Sequence, residues 1–153
     1  MRLIARQLLW ALALVTGLAC AQAPDRFAPA GISQQEAQAF LSKLQAAVAG
    51  NDAQAIAAMT HFPLTLNGRP GPRDSARFAQ AFTTIFNDKV RNAVSHARVA
   101  DLFVSSRGLM IGAGQVWIAR ICADGAAAKP CAGTRAVAII AINNRSLTIE
   151  KLR

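Results

Sequence analysis

The chain has no tyrosine, and among its 153 residues only two histidines, three cysteines and two glutamates. Without tyrosine, no mechanism can rest on a phenolic acid or a phenolic oxyanion donor. Glu36 belongs to a helix cap, which leaves too few free acids for a paired-carboxylate mechanism or a carboxylate-rich metal site. Charged residues are scarce at 16%, apolar ones reach 53%, and no long serine, glutamine or glutamate tract occurs, so wholesale disorder is excluded. There is no internal repeat, no linker to a second domain and no run of Lys/Arg. The patterns Gly-x-Ser-x-Gly, His-Glu-x-x-His and Cys-x-x-Cys are missing too. Gly108, Gly112 and Gly114 lead into a strand where a phosphate loop would need a helix, so they read as turn residues. No metal and no cofactor is expected.

What is present begins with an export signal over residues 1–21. Arg2 and Arg6 form its positive end, Leu8 to Val15 its apolar stretch, and Ala19-Cys20-Ala21 its small-residue close. The apolar run is shorter than the ~20 residues of a membrane span, and no second candidate follows, so no transmembrane span is expected in the mature form. Cleavage is expected after Ala21, because a cut after Ala23 would put Pro24 directly behind the scissile bond. A lipoprotein anchored through Cys20 is the less favoured alternative, since the preceding Gly17-Leu18-Ala19 lacks the usual Leu or Val three positions earlier. The domain is therefore expected in the periplasm or outside the cell.

Loss of Arg2 and Arg6 leaves 15 basic against 8 acidic side chains, a charge of +7. After export the polyanions such a charge could meet are membrane headgroups, surface polysaccharides and the acidic faces of other proteins, but a merely basic, soluble surface is the favoured reading, and no nucleic acid is expected. The basic residues are scattered (Arg69, Arg73, Arg77, Lys89, Arg91, Arg98, Arg107) and interleaved with Asp74, Asp88 and Asp101.

Residues 22–32, with two prolines, read as a flexible lead-in, and residues 33–153 as one domain. Ser33 and Glu36 make a capping box, behind which Ala37, Phe40, Leu41, Leu44 and Val48 recur at helical spacing until Gly50. Asn51 or Asp52 caps a second helix with Ile56 and Met59 inward. Phe62, Leu64 and Leu66 alternate as a strand ending at Asn67-Gly68, and Pro63 predicts an edge strand or a first pairing position. Residues 69–73 read as loop. A third helix starts at Asp74 with the stripe Phe78, Phe82, Ile85 and Phe86, and is recapped at Asn87-Asp88 over Val90, Ala93, Val94 and Ala97. Beyond Asp101 everything reads as strand: 102–105, 109–111, 115–122, 134–142 and 146–152.

This order predicts an α+β fold: a curved antiparallel sheet wrapped around N-terminal helices, cone-shaped and cystatin-like in order. With the phrases His61-Phe62-Pro63-Leu64, Phe82-Thr83-Thr84-Ile85-Phe86 and the run from Gly108 through Trp117 to Ile118, it resembles exported members of the nuclear transport factor 2-like (SnoaL-like) superfamily over residues 33–152. The resemblance implies a pocket at the open end of the cone and often a homodimer through the outer sheet face. It implies no activity, because that scaffold carries isomerases, dehydratases, hydrolases and binding modules alike.

Within that frame the pocket candidates are Phe82, Met110, Trp117 and Arg120. Trp117 and Arg120 have opposite parity on one strand and so point to opposite faces. Whichever face is concave decides between a Trp wall and an Arg anchor for a small apolar or anionic ligand. His61 and Asp101 are the candidate bases, although His61 also suits a helix-end carbonyl and Asp101 a turn or ion pair. His96 fits the negative pole of a helix C-terminus. Cys122 and Cys131 bracket a short loop in an oxidising compartment, where a disulfide would add about 3 kcal/mol. The function expected is a small-molecule-binding or protein-interaction module, with an isomerase or lyase using His61 or Asp101 as the alternative.

Overall fold

The computed structural model describes residues 25–122 and 135–145. Residues 1–24, Cys20 and the expected cleavage point included, lie outside that range, as do Cys131 and the expected strand 146–152. Five α-helices and six strands are described: α1 Gln34–Ala49, α2 Ala53–Ala58, β1 Thr60–Leu66, β2 Arg69–Pro70, α3 Ser75–Gln80, α4 Phe82–Ile85, α5 Asp88–Ser95, β3 Phe103–Ser105, β4 Gly108–Ile111, β5 Val116–Cys122 and β6 Arg135–Ile142. The fold is α+β, as the sequence order implies.

The caps start the helices. The Ser33 hydroxyl accepts from the Glu36 N–H, and the Glu36 carboxylate accepts from the Ser33 N–H at 2.8 Å, a complete capping box. Asp52 caps α2, Asp74 caps α3 and Asn87 caps α5, each accepting a backbone N–H three residues on. The third helix differs from expectation by breaking at Ala81 as well as at Asn87. Thr83, Thr84 and Ile85, three β-branched residues in succession, give α4 little intrinsic helix stability, and it ends after one turn.

The six strands form one open sheet in the order β2-β1-β6-β5-β4-β3. Its β3–β6 part is an antiparallel meander, but β1 runs parallel to β6, so the sheet is mixed and not purely antiparallel. A parallel neighbour needs a long connection, and here β2, three helices and three strands provide it. Two readings of the β1 region change. Pro63 neither marks an edge nor opens the pairing. The β1–β6 register shifts between Thr60 and Thr65, and Pro63 falls inside that interruption, where it costs no ladder bond. The segment after Asn67-Gly68 is not all loop, because Arg69 and Pro70 return as β2 opposite Leu66 and Thr65. Asn67 (φ 52°) and Gly68 (φ 75°) both take the left-handed conformation that a two-residue hairpin of this hand requires.

Residues 25–32 also depart from the expected lead-in. Phe27 and Ile32 are each 1% exposed and belong to the main core. Arg26 clamps this segment by donating to the carbonyls of Ala100 and Leu102 at 2.8 and 2.5 Å. The helices cover one sheet face. Leu64, Ile111, Val116, Ile118, Ile139 and Ile142 point toward them and are almost fully buried. Phe78, Phe82 and Phe86 form an aromatic cluster with centroid separations of 5.4 to 6.2 Å, which Phe62 joins from β1 at 5.9 Å.

Candidate functional site

Strand parity distributes the side chains. On β5, Val116, Ile118 and Cys122 are buried toward the helices, while Trp117, Ala119 and Ile121 are half-buried on the opposite face. Arg120 shares the helix-facing parity: its Nη2 lies 2.6 Å from both Glu36 carboxylate oxygens on α1, and its Nε donates to the Gly31 carbonyl at 2.5 Å. The expected opposition of Trp117 and Arg120 is therefore what the strand displays, and the Arg120 side faces the helices.

Across the helix-free face, β1 presents His61, Pro63 and Thr65. A cavity of about 490 Å3 opens there. His61, Pro63 and Thr65 form one wall, and the β3–β4 turn contributes Ser106, Arg107 and Gly108. Ala119, Ile121, Ile140 and Ala141 supply an apolar floor, and Ala30 and Arg120, whose side chain runs to Glu36 on the helix side, complete the lining. Neither the His61 ring nor the Arg107 guanidinium has a hydrogen-bond or ion-pair partner among the described residues. His61 is half-buried and Arg107 exposed. Two arginines and one imidazole at the lining of an apolar floor make a site able to take an anion carrying a short apolar body.

The other candidates fall elsewhere. Met110 and Trp117 are cross-strand partners on the helix-free face, with Phe103 opposite Met110 at 53% exposure, but neither Met110 nor Trp117 lines this cavity. Phe82 is 4% exposed inside the aromatic cluster, with the Arg91 guanidinium 5.1 Å from its ring centroid, so it is core and not pocket wall. Asp101 borders a separate cavity of about 260 Å3 with Asn92, His96 and Arg98. Its carboxylate takes two bonds from Arg98, at 2.6 and 3.0 Å. That hydrogen bonding, helped by the charges of Arg98 and Arg26, holds the carboxyl below its ordinary range and makes it a weaker proton acceptor. His61 and Asp101 thus do not converge on one site. His96 caps α5, its Nδ1 2.9 Å from the Asn92 carbonyl. Cys122 ends β5 and is 7% exposed, whereas Cys131 lies outside the described residues.

Sequence reasoning missed Arg107 and Asn144. Arg107 belongs to a turn signal, and only the assembled sheet brings the β3–β4 turn and β1 to one cavity. Asn144 donates to the Thr84 and Ile85 carbonyls and exchanges bonds with Asn67, tying the end of β6 to α4 and to the β1–β2 turn. Its pairing with Asn67 spans 77 residues and has no local signature.

Among the described residues no group of three or more His, Cys, Asp or Glu side chains could hold a metal ion, and no helix is long and apolar enough to cross a membrane. No protein-family model matches the chain, and neither a curated protein nor a solved structure does.

Proposed function

We propose that this chain is an exported binding module whose ligand is a small anion with an apolar body, held in the cavity of His61, Arg107 and Arg120. The observation that carries the reading is that these three basic residues line one cavity with an apolar floor, and that His61 and Arg107 have no hydrogen-bond or ion-pair partner among the described residues. The reading includes a periplasmic or secreted location after loss of residues 1–21, a Cys122–Cys131 disulfide, and a place in the nuclear transport factor 2-like superfamily. Element order supports the last of these: two helices, a strand hairpin, further helices, then an antiparallel meander. That superfamily's sheet-to-sheet homodimer would use the helix-free face, where Phe103, Met110 and Trp117 are neighbours. Sedimentation of a Trp117→Lys variant against the parent chain tests it, a single monomeric species for both speaking against a dimer.

The test of binding is thermal unfolding of the mature protein with a panel of aliphatic carboxylates, alkyl phosphates and alkylamines. Anions should raise the midpoint and amines should not; at ligand a hundredfold above Kd the gain is about 2.7 kcal/mol. The absence of any anion-dependent shift sinks the reading. The alternative, an isomerase or lyase, is supported by His61 alone, a half-buried imidazole on a cavity wall. It requires substrate turnover that His61→Gln abolishes while anion binding persists.

A further inference from the structure

We propose that Glu36 sets the charge selectivity of the His61–Arg107–Arg120 cavity, so that it takes a monoanion such as a carboxylate in preference to a dianion; this rests on the anion-binding reading above. Arg120 lines the cavity, yet its charge is already engaged: Nη2 is 2.6 Å from both Glu36 oxygens. Ala30 also lines the cavity and precedes Gly31, whose carbonyl accepts from Arg120 Nε, so the ion pair lies next to the Ala30 end of the lining. Glu36 cannot swing away freely, because the Ser33 N–H and hydroxyl hold the same carboxylate at 2.8 and 2.9 Å.

The consequence is electrostatic. With Arg120 offset by a fixed carboxylate, the unopposed charge around the cavity is that of Arg107 and whatever His61 carries. A single negative charge matches it. A second negative charge drawn to Arg120 would be repelled by Glu36, whose carboxylate already lies 2.6 Å from that guanidinium. Arg120 stays useful as a donor, since Nη1 has no partner among the described residues. It offers a hydrogen bond to a ligand without a net charge.

Glu36→Gln separates charge from structure, because glutamine at this position of a capping box still accepts the N-cap N–H. The probes are octanoate, a monoanion, and octyl phosphate, a dianion at pH 8, each titrated calorimetrically into the full mature chain. The parent protein should bind octanoate more tightly. Glu36→Gln should improve octyl phosphate binding about tenfold while octanoate changes less than threefold. Ser33→Ala, which breaks the cap and keeps the charge, should leave the ratio of affinities as in the parent. Arg120→Gln, which leaves Glu36 unopposed, should weaken octyl phosphate more than octanoate, and it serves if Glu36→Gln does not fold. An unchanged ratio in Glu36→Gln with both probes still binding overturns the assignment to Glu36, as does a Ser33→Ala ratio that moves with it. A parent protein that binds neither probe overturns the anion-binding reading, and this inference falls with it.

Discussion

At the scale of single residues, backbone geometry and charge make the sharpest demands. Gly108 opens β4 at φ +121°, and a Cβ added there would stand 2.1 Å from the Ile118 carbonyl oxygen on the neighbouring strand. Strain and collision act together, and both partners are backbone, so no side-chain rotation relieves them. Gly108→Ala should cost about 3 kcal/mol, read as a lowered midpoint in urea. A loss under 1 kcal/mol would mean the β4–β5 register is not as described. His61 and Arg107 make the opposite kind of prediction. Replacing either with Ala removes a cavity-lining polar group with no partner among the described residues, so folding should hardly change while affinity for an anionic probe falls roughly tenfold, about 1.4 kcal/mol. Equal loss of stability and of binding would assign them a structural role.

Between residue and whole chain, the elements differ in what holds them. α1 carries its own instructions: a capping box, a continuous apolar stripe and a stop at Gly50. Ser33→Ala should cost on the order of 1 kcal/mol through the lost cap. The segment from α3 to α5 is held by its rings instead. Phe78 is fully buried and contacts Phe62, Phe82 and Phe86, so Phe78→Ala removes the centre of the cluster and should cost about 3–5 kcal/mol. A cost below 2 kcal/mol, by the same urea titration, would show that the cluster is not the hub of this layer. The caps and stripes of α1, α2 and α5 were legible in the sequence because capping and amphipathic spacing are local. The break at Ala81 and the return strand at Arg69 and Pro70 were not, although both are local: a strand of two residues, pairing only with Thr65 and Leu66 across the Asn67-Gly68 turn, is too short to show an alternation, and the apolar stripe runs unbroken across Ala81.

For the molecule as a whole, the Glu36–Arg120 pair joins the first helix to the middle of the sheet and ties stability to acid. The hydrogen bond from Arg120, followed by those from the Ser33 N–H and hydroxyl, lowers the Glu36 carboxyl from 4.5 to about 2. A folded-state value below the unfolded one means that the ionised form stabilises the fold. That contribution is complete above about pH 4.5 and is lost as pH falls through 2. Glu36 is partly exposed, so the effect is modest. Urea midpoints at intervals from pH 6 to 2 should decline less steeply in Glu36→Gln than in the parent. Parallel declines would show that the pair does not couple to folding.

Local rules in the sequence settled the element types, the caps, most of the apolar faces and the opposed directions of Trp117 and Arg120, because each follows from the geometry of one helix turn or one strand pleat. They also supplied the expectation of export, which belongs to residues outside the described fold. Tertiary structure alone decided that β1 lies parallel to β6, that Phe27 and Ile32 join the core, that Phe82 is packing material, and that His61 and Arg107 line one cavity while Asp101 is bound to Arg98 elsewhere. These are choices among strand neighbours. They are made by which apolar surfaces come together across tens of residues, and side-chain periodicity along a single segment carries no record of them.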